Sequence, residues 1–168
     1  MPVSNKKKEI KKEPLTKFFS DSIFDEIGID EVGRGPLFGR VYSAAVILPK
    51  TLDFKFELLK DSKKFTSRKK IKEVSDYIKT NVLNYSIAYE DEKTIDKINI
   101  KNASHNAMHK AIRALLSQSE SINVETNLDY SNYILLVDGN NFKPFIYFNN
   151  TELKQINHIT IEGGDNIY

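Results

Sequence analysis

The sequence predicts an α/β domain built on a mixed five-stranded sheet flanked by helices, and three observations carry that reading. Apolar runs of strand length, punctuated by glycine and proline, recur along the chain. The first two are joined by a short glycine-bearing connection, which suits an antiparallel hairpin. The run "YILLVDG" follows a long stretch of helical periodicity, so it enters the sheet by a crossover. Its unbroken apolarity suits a central strand covered on both faces.

Residues 1–22 are lysine-rich and aperiodic up to Phe18 and Phe19, and read as a basic, flexible arm whose hydrophobic end docks on the domain. The domain itself is expected over 23–168. Residues 23–32 form the first strand and "VYSAAVIL", 41–48, the second, which Pro49 ends. Thr66 or Ser67 can cap a helix in which Ile71, Val74, Tyr77 and Ile78 make an apolar stripe. "VLNYSIAYE", 82–90, alternates well enough for a third strand. Over 94–116, Ile95, Ile98, Ala103, Ala107, Met108, Ala111, Ile112 and Leu115 recur at helical spacing, as one long helix or as two joined near Asn99. Residues 133–139 are the fourth strand, and "PFIYF" and "HITIEGGD" supply further short strands or strand-like loops.

Bulk properties narrow the function. At 168 residues the chain fits one domain with a tail. A net charge of +2 gives no whole-molecule field for nucleic acid, so any such binding must rest on local basic patches. The absence of cysteine excludes disulfides and thiolate metal sites, and makes the reducing cytosol the expected compartment. The N-terminal lysines have no apolar segment behind them, and no run approaches the ~18 apolar residues of a membrane span. A cytoplasmic, monomeric protein without a membrane partner is expected.

The chemistry-bearing pattern is acidic. Asp30 with Glu31, Asp138 in "VDG" and Asp165 in "GGD" each follow an apolar strand and stand beside glycine or another acid. A single strand-end aspartate ordinarily caps a helix or faces solvent. Several of them suggest a shared site, because ligands in open α/β sheets bind beyond the carboxyl ends of the strands. If the first and fourth strands are parallel neighbours, Asp30 and Asp138 converge there. Gathered carboxylates repel and raise one another's pKa. A divalent cation resolves the conflict, and an all-oxygen ligand set points to Mg²⁺ or Mn²⁺ rather than zinc. Two such ions could activate a water and stabilise the leaving oxygen in phosphodiester hydrolysis. Adjacent strand residues point to opposite faces, so Asp30 and Glu31 share a site only if the strand ends or twists at Glu31. Gly33 and Gly35, just beyond, would permit that.

The stretch "GIDEVGRGPLFGRVYSAAVILP" resembles the signature of the type 2 ribonucleases H, the ribonuclease HII family. "LKDSKKFTSRKK" resembles the basic element that follows it there, and "INIKNASHNAMHKAI" its next helix. "LLVDGN" and "GGD" resemble the segments carrying the last two acids. The resemblance runs from about residue 27 to the end of the chain. It implies a ribonuclease H-like fold and a metal-dependent endonuclease using two Mg²⁺ or Mn²⁺ ions. The implied substrates are RNA–DNA hybrids and single ribonucleotides in duplex DNA, cut on the 5′ side to leave 3′-hydroxyl and 5′-phosphate ends. The resemblance implies Asp30, Glu31, Asp138 and Asp165 as the catalytic metal ligands. It makes Gly33, Arg34 and Gly35 a loop that approaches the sugar–phosphate chain and senses the 2′-hydroxyl. Ser62, Lys63 and Lys64 become phosphate contacts within a basic cluster that also holds Lys60, Arg68, Lys69 and Lys70.

The chain departs from that pattern in four places. It ends at Tyr168, three residues past Asp165, where the family continues with a small-residue helix, a basic motif and a stacking tyrosine; the C-terminal helices are therefore expected to be missing. The interval from Asp138 to Asp165 is long, with "YFNNTELKQINH" resembling an inserted hairpin or loop. Gly163 stands where a lysine is usual, and Arg40 where a proline is usual. A catalytically inactive hybrid-binding module of the same fold is the alternative reading, since it would keep the acids and the "GRG" loop. The ribonuclease HIII pattern fits less well, because it carries an extra N-terminal domain and lacks the arginine of "GRG". His105 and His109 stand four apart, as in a zinc protease helix, but Asn106 replaces the glutamate such a site needs, and the helix reads as a core stripe.

Overall fold

The computed structural model describes residues 17–19, 24–51, 53–60, 64–119 and 128–164. Its elements are β1 (Asp25–Val32), β2 (Val41–Ile47), a 3₁₀ turn (Phe56–Leu58), α1 (Arg68–Asn81), β3 (Asn84–Glu90), α2 (Glu92–Ser119), β4 (Tyr133–Asp138), β5 (Ile146–Phe148), β6 (Leu153–Gln155) and β7 (Asn157–Ile161). Five strands form one mixed sheet in the order β3-β2-β1-β4-β7. β1, β2 and β3 are antiparallel, while β4 runs parallel to β1 and β7 parallel to β4. The α/β class and the mixed five-stranded sheet are as the sequence predicts.

One face of the sheet is the core. Along β1 and β2 the alternate residues Ile27, Ile29, Ala45 and Ile47 are buried against Met108, Ala111, Ile112 and Leu115 of α2. Leu135 and Val137 of β4 complete that layer, with Phe142, Phe145 and Ile156 closing its edge. Ala103, Ala107 and Ala111 are wholly buried on α2, and their small side chains let the helix lie close to the strands. The pattern pins the register: a slip of one residue on β1 would carry Asp30 into this core and Ile29 out of it.

The helices begin where side chains supply caps. α2 starts before Thr94, because the Asp91 carboxylate accepts the Thr94 amide at 2.9 Å and so caps the first turn. Inside α2, Asn99 has a non-helical backbone with φ +66°, and its Oδ1 accepts the Asn102 amide at 3.0 Å, restarting the helix. The expected junction near Asn99 is therefore a kink with its own cap. At α1, Ser67 rather than Thr66 is the cap, accepting the Lys70 amide at 3.3 Å. None of α1 is buried; Val74, Tyr77 and Ile78 are half-covered, and Ile71 is exposed instead of joining their stripe.

The segment after β4 contains a hairpin. β5 and β6 pair antiparallel, and Asn149 organises the tip by accepting the amides of Thr151 and Glu152 at 3.2 and 2.9 Å. Ile156 donates to the Phe145 carbonyl at its base. Phe18 packs edge-on against Phe56 at 5.5 Å, while residues 1–16 and 20–23, which include most of the predicted arm and Ile23, lie outside the described residues. Among the described residues no helix is long and apolar enough to cross a membrane.

Candidate active site

Parallel pairing of β1 and β4 runs as far as Ile29 beside Val137. Asp30 and Asp138 come next on each strand, so they leave neighbouring strands at one level and on the face away from α2. Both line a single cleft of about 710 Å³, whose floor includes Gly28, Ala44, Val46 and Leu136. Ile29 is buried and Asp30 exposed, one residue apart, because the pleat alternates.

Each aspartate has local support. Asp30 Oδ1 accepts the Glu31 amide at 2.6 Å. The buried Ser43 hydroxyl donates to the Asp30 carbonyl at 2.7 Å, fixing the strand end. Asp138 Oδ1 accepts the Gly164 amide at 2.9 Å, and the Gly139 amide donates to the Ile161 carbonyl at 2.9 Å. A Cβ at Gly164 would stand 3.2 Å from Asp138 Oδ1, so this close approach of backbone to carboxylate suits glycine. Neither the Ser43 nor the Gly164 contact was legible as a site feature; both depend on which strand lies alongside.

Glu31 is placed differently. β1 does not end there: Glu31 pairs with Ser43 and Val32 with Tyr42. Continued pairing keeps Glu31 across the pleat from Asp30, and its carboxylate takes Arg34 Nη1 at 3.0 Å. In the loop that follows, Gly33 has φ +99°, and a Cβ on it would come within 2.6 Å of the Arg40 carbonyl. Gly35 meets no such crowding among the described residues. Leu37 and Phe38, at the loop tip, are 93% and 91% exposed.

Asp165, Ser62 and Lys63 lie outside the described residues, and Lys64 is exposed on the surface. Among the described residues no three His, Asp or Glu side chains come together as a metal-holding group. The geometry thus brings Asp30 and Asp138 together and turns Glu31 to Arg34.

The two helix histidines have a structural task. His105 Nε2 meets the Asn141 carbonyl at 3.1 Å and His109 Nε2 the Lys143 carbonyl at 2.8 Å, and a carbonyl partner requires each of these nitrogens to be the donor. Phe142 packs against both rings and against His158. The loop leaving Asp138 is thereby held on α2. Burial, the largest influence, pushes the pKa of both His105 and His109 down, since the protonated ring loses its hydration.

Comparison with known proteins agrees with this architecture. The family profile described as Ribonuclease HII matches residues 27–143. The Ribonuclease HII of Cytophaga hutchinsonii is 38% identical over 143 residues, which is 85% of this chain and 59% of that protein. The chain spans about three-fifths of the length of the curated relatives it matches. Among solved structures, the ribonuclease H2 from Pyrococcus horikoshii superposes with a TM-score of 0.58 at 17% identity, covering 86% of this chain and 65% of that one. Bst-RNase HIII in complex with Mn²⁺ gives a TM-score of 0.52 at 20% identity, covering 70% and 37%. These structures establish the shared ribonuclease H-like fold.

Proposed function

The chain belongs to the ribonuclease HII family, and on that premise we propose that it is the catalytic region of an endonuclease. Its substrates are RNA–DNA hybrids, in which it hydrolyses the RNA strand, and duplex DNA with embedded ribonucleotides, which it cuts on their 5′ side. One observation carries the reading: Asp30 and Asp138 stand at one level on parallel neighbouring strands and line one cleft.

The donor chemistry fits Mg²⁺ or Mn²⁺, since the acids offer oxygen alone and the chain has no cysteine. Asp30, Glu31, Asp138 and Asp165 would hold two such ions, and the Mn²⁺ complex of Bst-RNase HIII favours the same chemistry. Bound there, the ions supply a polarised water and charge stabilisation for the leaving 3′-oxygen. The residues themselves set the stage. The Glu31 amide and Ser43 hold Asp30 in place, and the Gly164 amide orients Asp138. Glu31 joins the site by exchanging Arg34, which frees the guanidinium for a phosphate. Gly33, Arg34 and Gly35 approach the ribose and read its 2′-hydroxyl. Ser62, Lys63 and Lys64 position the backbone through its phosphates.

The test is incubation of the 168-residue chain with a labelled duplex holding one ribonucleotide, in Mg²⁺, Mn²⁺ or EDTA. A single metal-dependent cut on the 5′ side of the ribonucleotide is expected. An intact duplex in all three, with a protein folded by circular dichroism, would rule out the catalytic reading. The turn of Glu31 toward Arg34 gives the inactive hybrid-binding module its one specific support, and binding without any cut would establish that module instead.

A further inference from the structure

Beside the carboxylates, the open sheet face carries an aromatic pair that the mechanism does not use. Asp30 pairs with Ala44, and two residues along the same strands Val32 pairs with Tyr42, which in turn pairs with Tyr89. Side chains two apart on a strand share a face, so Tyr42 and Tyr89 lie on the side of the sheet that bears Asp30, about 7 Å further along. Their rings are 5.4 Å apart and are 38% and 43% exposed, too open to be core. Arg40, at the end of the loop, sets its guanidinium 4.2 Å from the centre of the Tyr89 ring. The Tyr42 side chain first, then Tyr89 and more weakly Glu92, hold the Arg40 pKa above its ordinary value. A guanidinium stacked this way keeps an edge for a second partner.

We propose that Tyr42, Tyr89 and Arg40 form a substrate shelf: an aromatic face takes a base or sugar of the nucleic acid one or two nucleotides from the scissile bond, and Arg40 takes the adjoining phosphate. The proposal rests on the nuclease reading and extends it to specificity. Three features favour nucleic acid as the occupant. The rings offer the sequence-tolerant stacking that single nucleotides use. The cation is pre-positioned on a ring rather than swinging free, so little rotamer freedom is lost on contact. The surface is continuous, along one sheet face, with the aspartates that would do the chemistry.

The experiment uses the full chain and a duplex holding one ribonucleotide, with 2-aminopurine placed at successive positions on either side of it. Ca²⁺ replaces the catalytic ion, so that binding is read without turnover. For the parent, quenching of 2-aminopurine is expected at one or two positions near the ribonucleotide. Tyr89→Leu should lose that quenching and bind about tenfold more weakly, as expected for one lost base–aromatic stack. Tyr89→Phe, which keeps the ring, should restore both. Arg40→Gln should weaken binding to all sequences alike and reduce the salt slope by about one, the signature of a single phosphate contact. If the parent binds the duplex while Tyr89→Leu keeps its quenching and Arg40→Gln its salt slope, the shelf is wrong and the nuclease reading survives. A folded parent that binds no duplex would overturn both.

Discussion

On β1, Ile27 and Ile29 are buried beneath α2, while Gly28 and Asp30, each one residue along, line the open cleft. β4 repeats the division, with Leu135 and Val137 inside and Leu136 and Asp138 on the cleft. The two faces answer to different physics. The α2 face is apolar and close-packed, so its residues are constrained by volume. The opposite face holds its carboxylates through hydrogen bonds that they accept from the amides of Glu31 and Gly164, so it is constrained by orientation. Stability and chemistry are therefore separable by substitutions one residue apart.

The largest effect expected is on activity alone. Asp30→Asn should lower cleavage by about 10³-fold or more, the scale of losing one preorganised electrostatic group. Its melting temperature should stay level or rise, because an exposed charge is removed. A fall as large as a core variant's would mean that the two faces are not independent. On the α2 face, Ile112→Ala should cost about 3 kcal/mol in urea unfolding, through a cavity under the fully buried side chain, while the folded fraction keeps its turnover rate. Gly33→Ala sits between the two faces. The residue's φ of +99° and the 2.6 Å approach to the Arg40 carbonyl predict about 1–3 kcal/mol of strain, together with a raised KM as the loop shifts.

The smallest effect concerns pH. His105 and His109 have folded pKa values lowered from the ordinary 6.5, mainly by burial. Below 6.5 the unfolded chain therefore binds more protons than the folded one. Their contribution to stability is complete above pH 6.5 and is lost as pH falls from there through the lowered folded values. A melting temperature that drops between pH 7 and pH 5, with His109→Gln flattening part of that slope, is the expected result. An unchanged slope in the variant would remove His109 from the account.

Much of this architecture was legible because it is written locally. The alternation of "VYSAAVIL", the unbroken "YILLVDG" run and the breaker at Asn99 correspond to β2, β4 and the kink in α2. The convergence of Asp30 and Asp138 followed from parallel pairing of their strands, which the long crossover helix suggested. What was not legible depends on distant partners. The contact of Glu31 with Arg34 arises because β2 carries the pairing past the strand end that the acid pair suggested. His105 and His109 look like a metal pair or an anonymous core stripe until the loop after Asp138 folds back to offer its carbonyls. The Tyr42–Tyr89 pair is invisible without the β2–β3 register, since neither tyrosine stands in a motif.

The central claim is that Asp30 and Asp138 serve one ion-binding site. Titration with Mn²⁺, with free ion read from its electron paramagnetic resonance signal, tests it most directly on the parent chain, Asp30→Asn and Asp138→Asn. The parent should deplete the free signal, and either single substitution should sharply weaken that depletion. Undiminished Mn²⁺ binding in both variants would contradict the claim.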